Sequence, residues 1–178
     1  MNSAKYIEEL VLRLSKNFDI KHNVELLDEE VAVLARMEVH NQQHFAVKKI
    51  KIWHAENYEY VIVKIFDSLD ELQLEAFTGY LKKALDNLVK PHSEHMYTII
   101  TGIIVTDDFS ESLEKKIKRF KYRKTYALSL KGWAEIRLLG VSLHSNRVIS
   151  NRKGKEVEDF YLPLGKEDKK GLLNFIKK

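Results

Sequence analysis

The chain has 178 residues, two prolines, seven glycines, no cysteine and a formal net charge of +4. That length is enough to bury one core, and the lack of thiols excludes disulfide staples, thiolate metal sites and cysteine nucleophiles. Apolar runs are strand-sized, far below the ~20 residues of a spanning helix, and Met1-Asn2-Ser3-Ala4-Lys5 has no basic-then-apolar leader pattern. The expectation is a cytoplasmic protein with no transmembrane segment, forming a single globular domain over residues 1–178.

In chain order, Ile7, Leu10, Val11, Leu14 and Phe18 repeat with the period of an amphipathic helix, and Ser3 is placed to cap it. Phe18, Ile20, Val24 and Leu26 then alternate as a strand does. Asp28-Glu29-Glu30 interrupts, and Val31, Val33, Ala35, Met37 and Val39 alternate against Arg36 and Glu38. Residues 40–44 read as a polar connection. Phe45 and Val47, then Ile50 and Ile52, alternate on either side of a phase slip at Lys48-Lys49, the mark of a bulge. Residues 58–66 are too apolar to have a wet face and predict a central strand.

Ser68 with Glu71 fits a capping box for a helix carrying Leu72, Ala76, Phe77, Tyr80, Leu81, Ala84 and Leu88, which Pro91 terminates. Residues 97–105 predict a second central strand. Asp108 is placed to cap a helix with Leu113, Ile117 and Phe120 on its apolar face. Residues 125–130 predict a strand that Lys131-Gly132 turns into another, at 133–143, long enough to serve as an edge. Residues 151–155 read as a cationic turn, and Leu172, Leu173, Phe175 and Ile176 as a short terminal helix.

The order α-β-β-β-α-β-α-β-β-α predicts an α/β fold bordering on α+β. It is a single mixed sheet of five to seven strands with helices on its faces, antiparallel at the N-terminal side. The helical crossovers from 58–66 to 97–105, and from 97–105 to 125–130, predict parallel pairing at the centre.

Helix, three meandering strands, helix, strand resembles the core order of the restriction-endonuclease-like (PD-(D/E)XK) superfamily, over about residues 5 to 106. The resemblance implies an acid near the second core strand and an acid-x-Lys pair on one face of the third. Here the third strand offers Glu59 and Lys64, an odd separation that puts them on opposite faces, and the preceding stretch offers Lys49, Lys51 and His54 with no acid before Glu56. The catalytic motif is absent. Separately, Glu94-His95-Met96-Tyr97, with Lys131-Gly132-Trp133 downstream, resembles a family of uncharacterised prokaryotic proteins, which implies no activity.

The chemistry-bearing candidates are few. Residues 1–89 hold 11 Lys/Arg and 15 Asp/Glu, whereas residues 90–178 hold 19 and 11. Within the basic half, Lys115, Lys116, Lys118, Arg119, Lys121, Arg123 and Lys124 form a row that could neutralise phosphates of a nucleic acid or meet an acidic protein. Tyr122 and Tyr126 are placed for stacking. A solvated helix face explains the same row without a partner.

Asp67 and Asp107 end two strands expected to lie side by side, a place for a metal–phosphate site, but a local role at the helix caps explains these acids fully. No glycine-rich phosphate loop accompanies either strand. His92, Glu94 and His95 lack further metal ligands, and His40 and His44 have a metal-like spacing only on a helix. Trp53 and Trp133 are either platforms or packing, and no nucleophile elbow occurs. The expectation is a binding or interaction module with a basic surface and no cofactor, nucleic acid being the first partner to test. The alternatives are a degenerate, nuclease-like metal enzyme using Asp67, Asp107 and Glu59, or a homodimer.

Overall fold

The computed structural model describes residues 1–42 and 54–164. The expectations for residues 43–53, including the Lys48-Lys49 bulge and Trp53, and for the terminal helix around Leu172, lie outside the described residues.

The strands are β1 (Asp19–Leu26), β2 (Glu29–Gln42), β3 (His54–Ile65), β4 (His95–Thr106), β5 (Arg123–Thr125), β6 (Trp133–Ser142) and β7 (Arg147–Ser150). The helices are α1 (Ser3–Leu14), α2 (Glu71–Leu88), α3 (Glu111–Arg119) and α4 (Glu158–Tyr161). They build one mixed sheet in the order β1-β2-β3-β4-β6-β5, with β7 also paired to β6. β1, β2 and β3 pair antiparallel, while β3, β4 and β6 run parallel. Both crossovers are helical, as a parallel connection requires.

Alternation along the parallel strands sorts the core into two layers. Ile62, Ile100, Ile104, Ile136 and Leu138 pack against α2 and α3. Val61, Val63, Ile103, Val105, Leu139 and Val141 pack against Tyr6, Leu10 and Leu14 of α1 and Tyr161 of α4. Because β4 is covered on both faces, nearly all of it is buried. At its middle, a Cβ on Gly102 would lie 2.2 Å from a Leu81 methyl, so α2 can approach the sheet only over a glycine.

Several local expectations are corrected. α2 is capped by Asp70, not Ser68. The Asp70 carboxylate accepts from the Gln73 amide at 2.7 Å, and the Gln73 side chain accepts from the Asp70 amide at 2.9 Å. Two overlapping sequences satisfy the capping-box pattern, and the later one wins because it starts the helix in phase with buried Leu74 and Phe77, leaving Leu72 exposed. α1 is likewise capped by Asn2 rather than Ser3, and α3 by Ser110 rather than Asp108. Residues 40–42 continue β2.

The stretch 125–130 is not a strand. Ala127, Leu128 and Ser129 all have positive φ, which no strand tolerates, and β5 ends at Thr125. Accordingly β6, not residues 125–130, is the parallel neighbour of β4. β6 is therefore an interior strand rather than an edge.

The two segments that carry the resemblance to an uncharacterised family meet in space. His95 is buried. Its Nδ1 donates to the Lys131 carbonyl at 2.8 Å and its Nε2 accepts from the Thr98 hydroxyl at 2.9 Å. Gly132 turns there with φ +77°, and a Cβ would lie 2.4 Å from the Met96 carbonyl oxygen and 2.6 Å from His95 Nδ1. The shared residues thus lock the entry to β6 against the start of β4. Gly132→Ala combines a left-handed backbone with contact against fixed carbonyls and is expected to cost about 3 kcal/mol, read as a lower urea midpoint at unchanged slope.

Candidate anion-binding site

Most of the basic row is already paired with acids of the same molecule. Lys115 lies 2.5 Å from Glu111, Lys118 lies 3.0 Å from Glu114, and Lys116 lies 2.8 Å from both Glu71 and Glu75. Lys124 lies 2.6 Å from Asp86. The hydrogen bonds that Lys116 donates to Glu71 and Glu75 raise its pKa, and the one that Lys124 donates to Asp86 raises its pKa. Glu114 is held below the usual carboxylate range by Arg147 first and Lys118 second. These pairs are exposed and add little to stability, but they reduce the positive field that α3 presents. Arg119 and Lys121 have no ion pair among the described residues.

The free charge converges elsewhere, at a place set by the topology. β6 has ten residues, and β5 pairs with only 133–135 of it while β7 pairs with only 139–142. Between them the edge-facing backbone of Ile136 and Leu138 has no strand partner. The Ile136 amide donates to the Tyr122 carbonyl at 3.1 Å, and Asn151 supplies the rest. The Asn151 side-chain amide donates to the carbonyls of Ile136 and Phe120, and its oxygen accepts from the amides of Leu138 and Gly154. The Asn151 amide donates to the Leu138 carbonyl at 3.0 Å.

A notch of about 370 Å³ opens over this gap. Lys121 and Arg123 form one wall, Arg152 and Lys153 the other, and Glu135 and Ile136 contribute from β6. Arg152, like Lys121, has no ion pair among the described residues. Arg123 and Lys153 each stand 4.0 Å from the Glu135 carboxylate, and Lys153 also lies 3.3 Å from Glu156. Four cations against one lining carboxylate suit a compact, multiply charged anion.

The aromatic side chains near this wall are committed to packing. Trp133 lies beneath the Arg123 guanidinium, 4.4 Å from its ring centre, and stacks on Tyr97 at 5.4 Å. Tyr122 faces Lys82 at 5.4 Å, and Tyr126 meets the edge of His95 at 6.1 Å. Contacts to nucleic acid would therefore go through phosphate and sugar rather than through stacked bases.

The acids do not assemble. Asp67 and Asp107 follow adjacent ends of β3 and β4, where Ile65 pairs with Val105. Glu59, six residues before Ile65, lies about 20 Å down the strand and pairs with Arg137 at 3.3 Å. The Asp107 carbonyl accepts from the His144 amide and the Ser142 hydroxyl, holding the turn after β6. Asp108 accepts from the Ser142 hydroxyl at 2.9 Å; its pKa is lowered first by the Phe109 amide, then by Ser142.

His92 accepts from the Glu94 amide on Nδ1 and points Nε2 at Glu56, 3.1 Å away. With both nitrogens of His95 also engaged, neither ring has one left for a metal. Among the described residues no group of three His, Cys, Asp or Glu is arranged to hold a metal ion, and no helix is long and apolar enough to cross a membrane.

Sequence reading thus reached Lys121 and Arg123, and saw residues 151–155 as cationic, but did not join the two segments. Glu135 and Asn151 were missed. The available signal was a pair of cationic turns flanking a long strand.

A family model described as Domain of unknown function (DUF8052) matches residues 2–163, and the chain belongs to that family. No curated protein and no solved structure matches it.

Asn151→Ala removes the hydrogen bonds that close the β6 gap and strands buried backbone groups. It is expected to cost about 3 kcal/mol and to speed amide exchange at Leu138 and Gly154. Asn151→Asp keeps the acceptor but sets a buried carboxylate oxygen against the Ile136 and Phe120 carbonyls, and at neutral pH should destabilise at least as much as Asn151→Ala.

Proposed function

We propose that this protein is a non-catalytic binding module whose notch between β5 and β7 holds phosphate-bearing ligands, nucleic acid being the first to test. The observation that carries this reading is the convergence of Lys121, Arg123, Arg152 and Lys153 on one cavity, while Lys115, Lys116 and Lys118 are neutralised by neighbouring glutamates. Two segments from opposite ends of the β6 edge supply the cations, so the charge is focused by the fold. A concave wall concentrates the field more than a row along a solvated helix does. The metal-dependent alternative is the weaker reading, because Glu59 faces Arg137 and lies far from Asp67 and Asp107.

Binding of this kind is strongly salt-dependent. With four cations on duplex phosphates the affinity should fall roughly 100-fold between 50 and 200 mM salt. The test is fluorescence anisotropy with labelled single- and double-stranded oligonucleotides. The paired variant Lys121→Glu with Arg152→Glu is expected to weaken binding more than tenfold, whereas changing Lys115, Lys116 and Lys118 together to Gln should alter it less than threefold. No binding at 50 mM salt, or the opposite ranking of the two variants, would overturn the reading.

A further inference from the structure

Glu135 is the cross-strand partner of Arg123 and places a carboxylate inside a notch of cations. Its side chain is 13% exposed, lines the notch, and comes within 4.0 Å of Arg123 and Lys153. That separation is an ion-pair distance but too long for a hydrogen bond, and among the described residues its carboxylate has no hydrogen-bond partner. The same residue lines an adjoining cavity of about 40 Å³ with Ile99, Trp133, Arg137, Lys153 and Glu156, the last of which is paired with Arg137 and Lys153. Glu135 therefore offers unused acceptor lone pairs at the junction of the two spaces. A bare phosphate dianion has no proton to give it and is repelled by it. A ligand carrying a hydroxyl donor next to its phosphate matches both the cations and the carboxylate.

We infer that the notch recognises a ribose phosphate, the phosphate resting on Lys121, Arg123, Arg152 and Lys153 and a ribose hydroxyl donating to Glu135. This rests on the anion-binding reading above and specifies its ligand. The short distance from Glu135 to Arg123 and Lys153 is the geometric reason. A phosphate seated on those two cations lies within one sugar of the carboxylate, near enough for a ribose hydroxyl. The commitment of Trp133 to Arg123 and Tyr97 leaves sugar and phosphate, rather than the base face, as the groups read here. The 2′-hydroxyl is the feature by which a protein tells RNA from DNA, so Glu135 becomes the specificity-determining residue.

The experiment compares RNA and DNA oligonucleotides of identical sequence by anisotropy, for the parent, Glu135→Gln and Glu135→Ala, with thermal melts confirming that each variant is folded. The parent is expected to bind RNA about tenfold more tightly than DNA. Glu135→Ala should erase that ratio while tightening DNA binding, since it removes a negative charge from the notch. Competition by a ribonucleoside 5′-monophosphate, but not by its 2′-deoxy counterpart, would assign the site to free nucleotide. Discrimination confined to the oligonucleotides would assign it to polymer. Equal binding of RNA and DNA by the parent, or a preference for RNA that survives Glu135→Ala, overturns the inference and leaves the anion-binding reading standing. Failure of the parent to bind any of these ligands at 50 mM salt overturns both.

Discussion

The constraint on which the rest of this structure depends is the unsatisfied edge of β6. A buried backbone amide or carbonyl must find a partner, and neither β5 nor β7 is long enough to pair with the whole strand. The Asn151 side chain takes the Leu138 amide and the Ile136 carbonyl, because an amide group both donates and accepts, and the Tyr122 carbonyl and the Asn151 backbone amide take the other two. The solution fixes the turn at 151–154 beside the end of α3. It also leaves an opening, since a side chain fills less space than a strand. The notch is thus a by-product of how the sheet edge is closed, and the cations on both its walls are brought together by that closure.

Charge pairing supplies the second half of the account. α3 carries an acidic first turn and a basic last turn, and it packs beside α2, whose exposed face bears Glu71, Glu75 and Asp86. The resulting ion pairs hold the cations of α3 and β5 close to counter-charges on the same surface. In water such pairs are weak, so they stabilise little, yet they determine where uncompensated charge remains. In the basic row it remains at Arg119 and Lys121, and Lys121 shares the notch with Arg152, which is likewise without an ion pair among the described residues.

The parallel pairing of β3 with β4 was legible because burial on both faces leaves long, largely apolar stretches and because a helix between two such stretches favours parallel pairing, but the same rule puts residues 125–130 on the other side of β4, where the fold places β6. α1 was legible from its period. What was not legible was anything decided between segments. The choice of Asp70 over Ser68 depends on which start puts Leu74 toward the sheet. The end of β5 at Thr125 depends on a left-handed turn at 127–129 that Ala, Leu and Ser do not announce. The basic row looked like a site because its partners Glu71, Glu75 and Asp86 lie about forty residues away in sequence, and the notch was invisible because its walls are about thirty residues apart. His95 and Gly132 were noticed as a pattern, but only the fold shows that one holds the turn made by the other.

The most direct test of the central claim is amide chemical-shift mapping by NMR during titration with inorganic tripolyphosphate, a small polyanion that cannot bridge distant patches. The account predicts that the shifts concentrate on residues 120–123, 135–136 and 151–154, with α3 from Glu111 to Lys118 largely unmoved. Shifts centred on Lys115, Lys116 and Lys118, or spread evenly over the basic half of the chain, would contradict it.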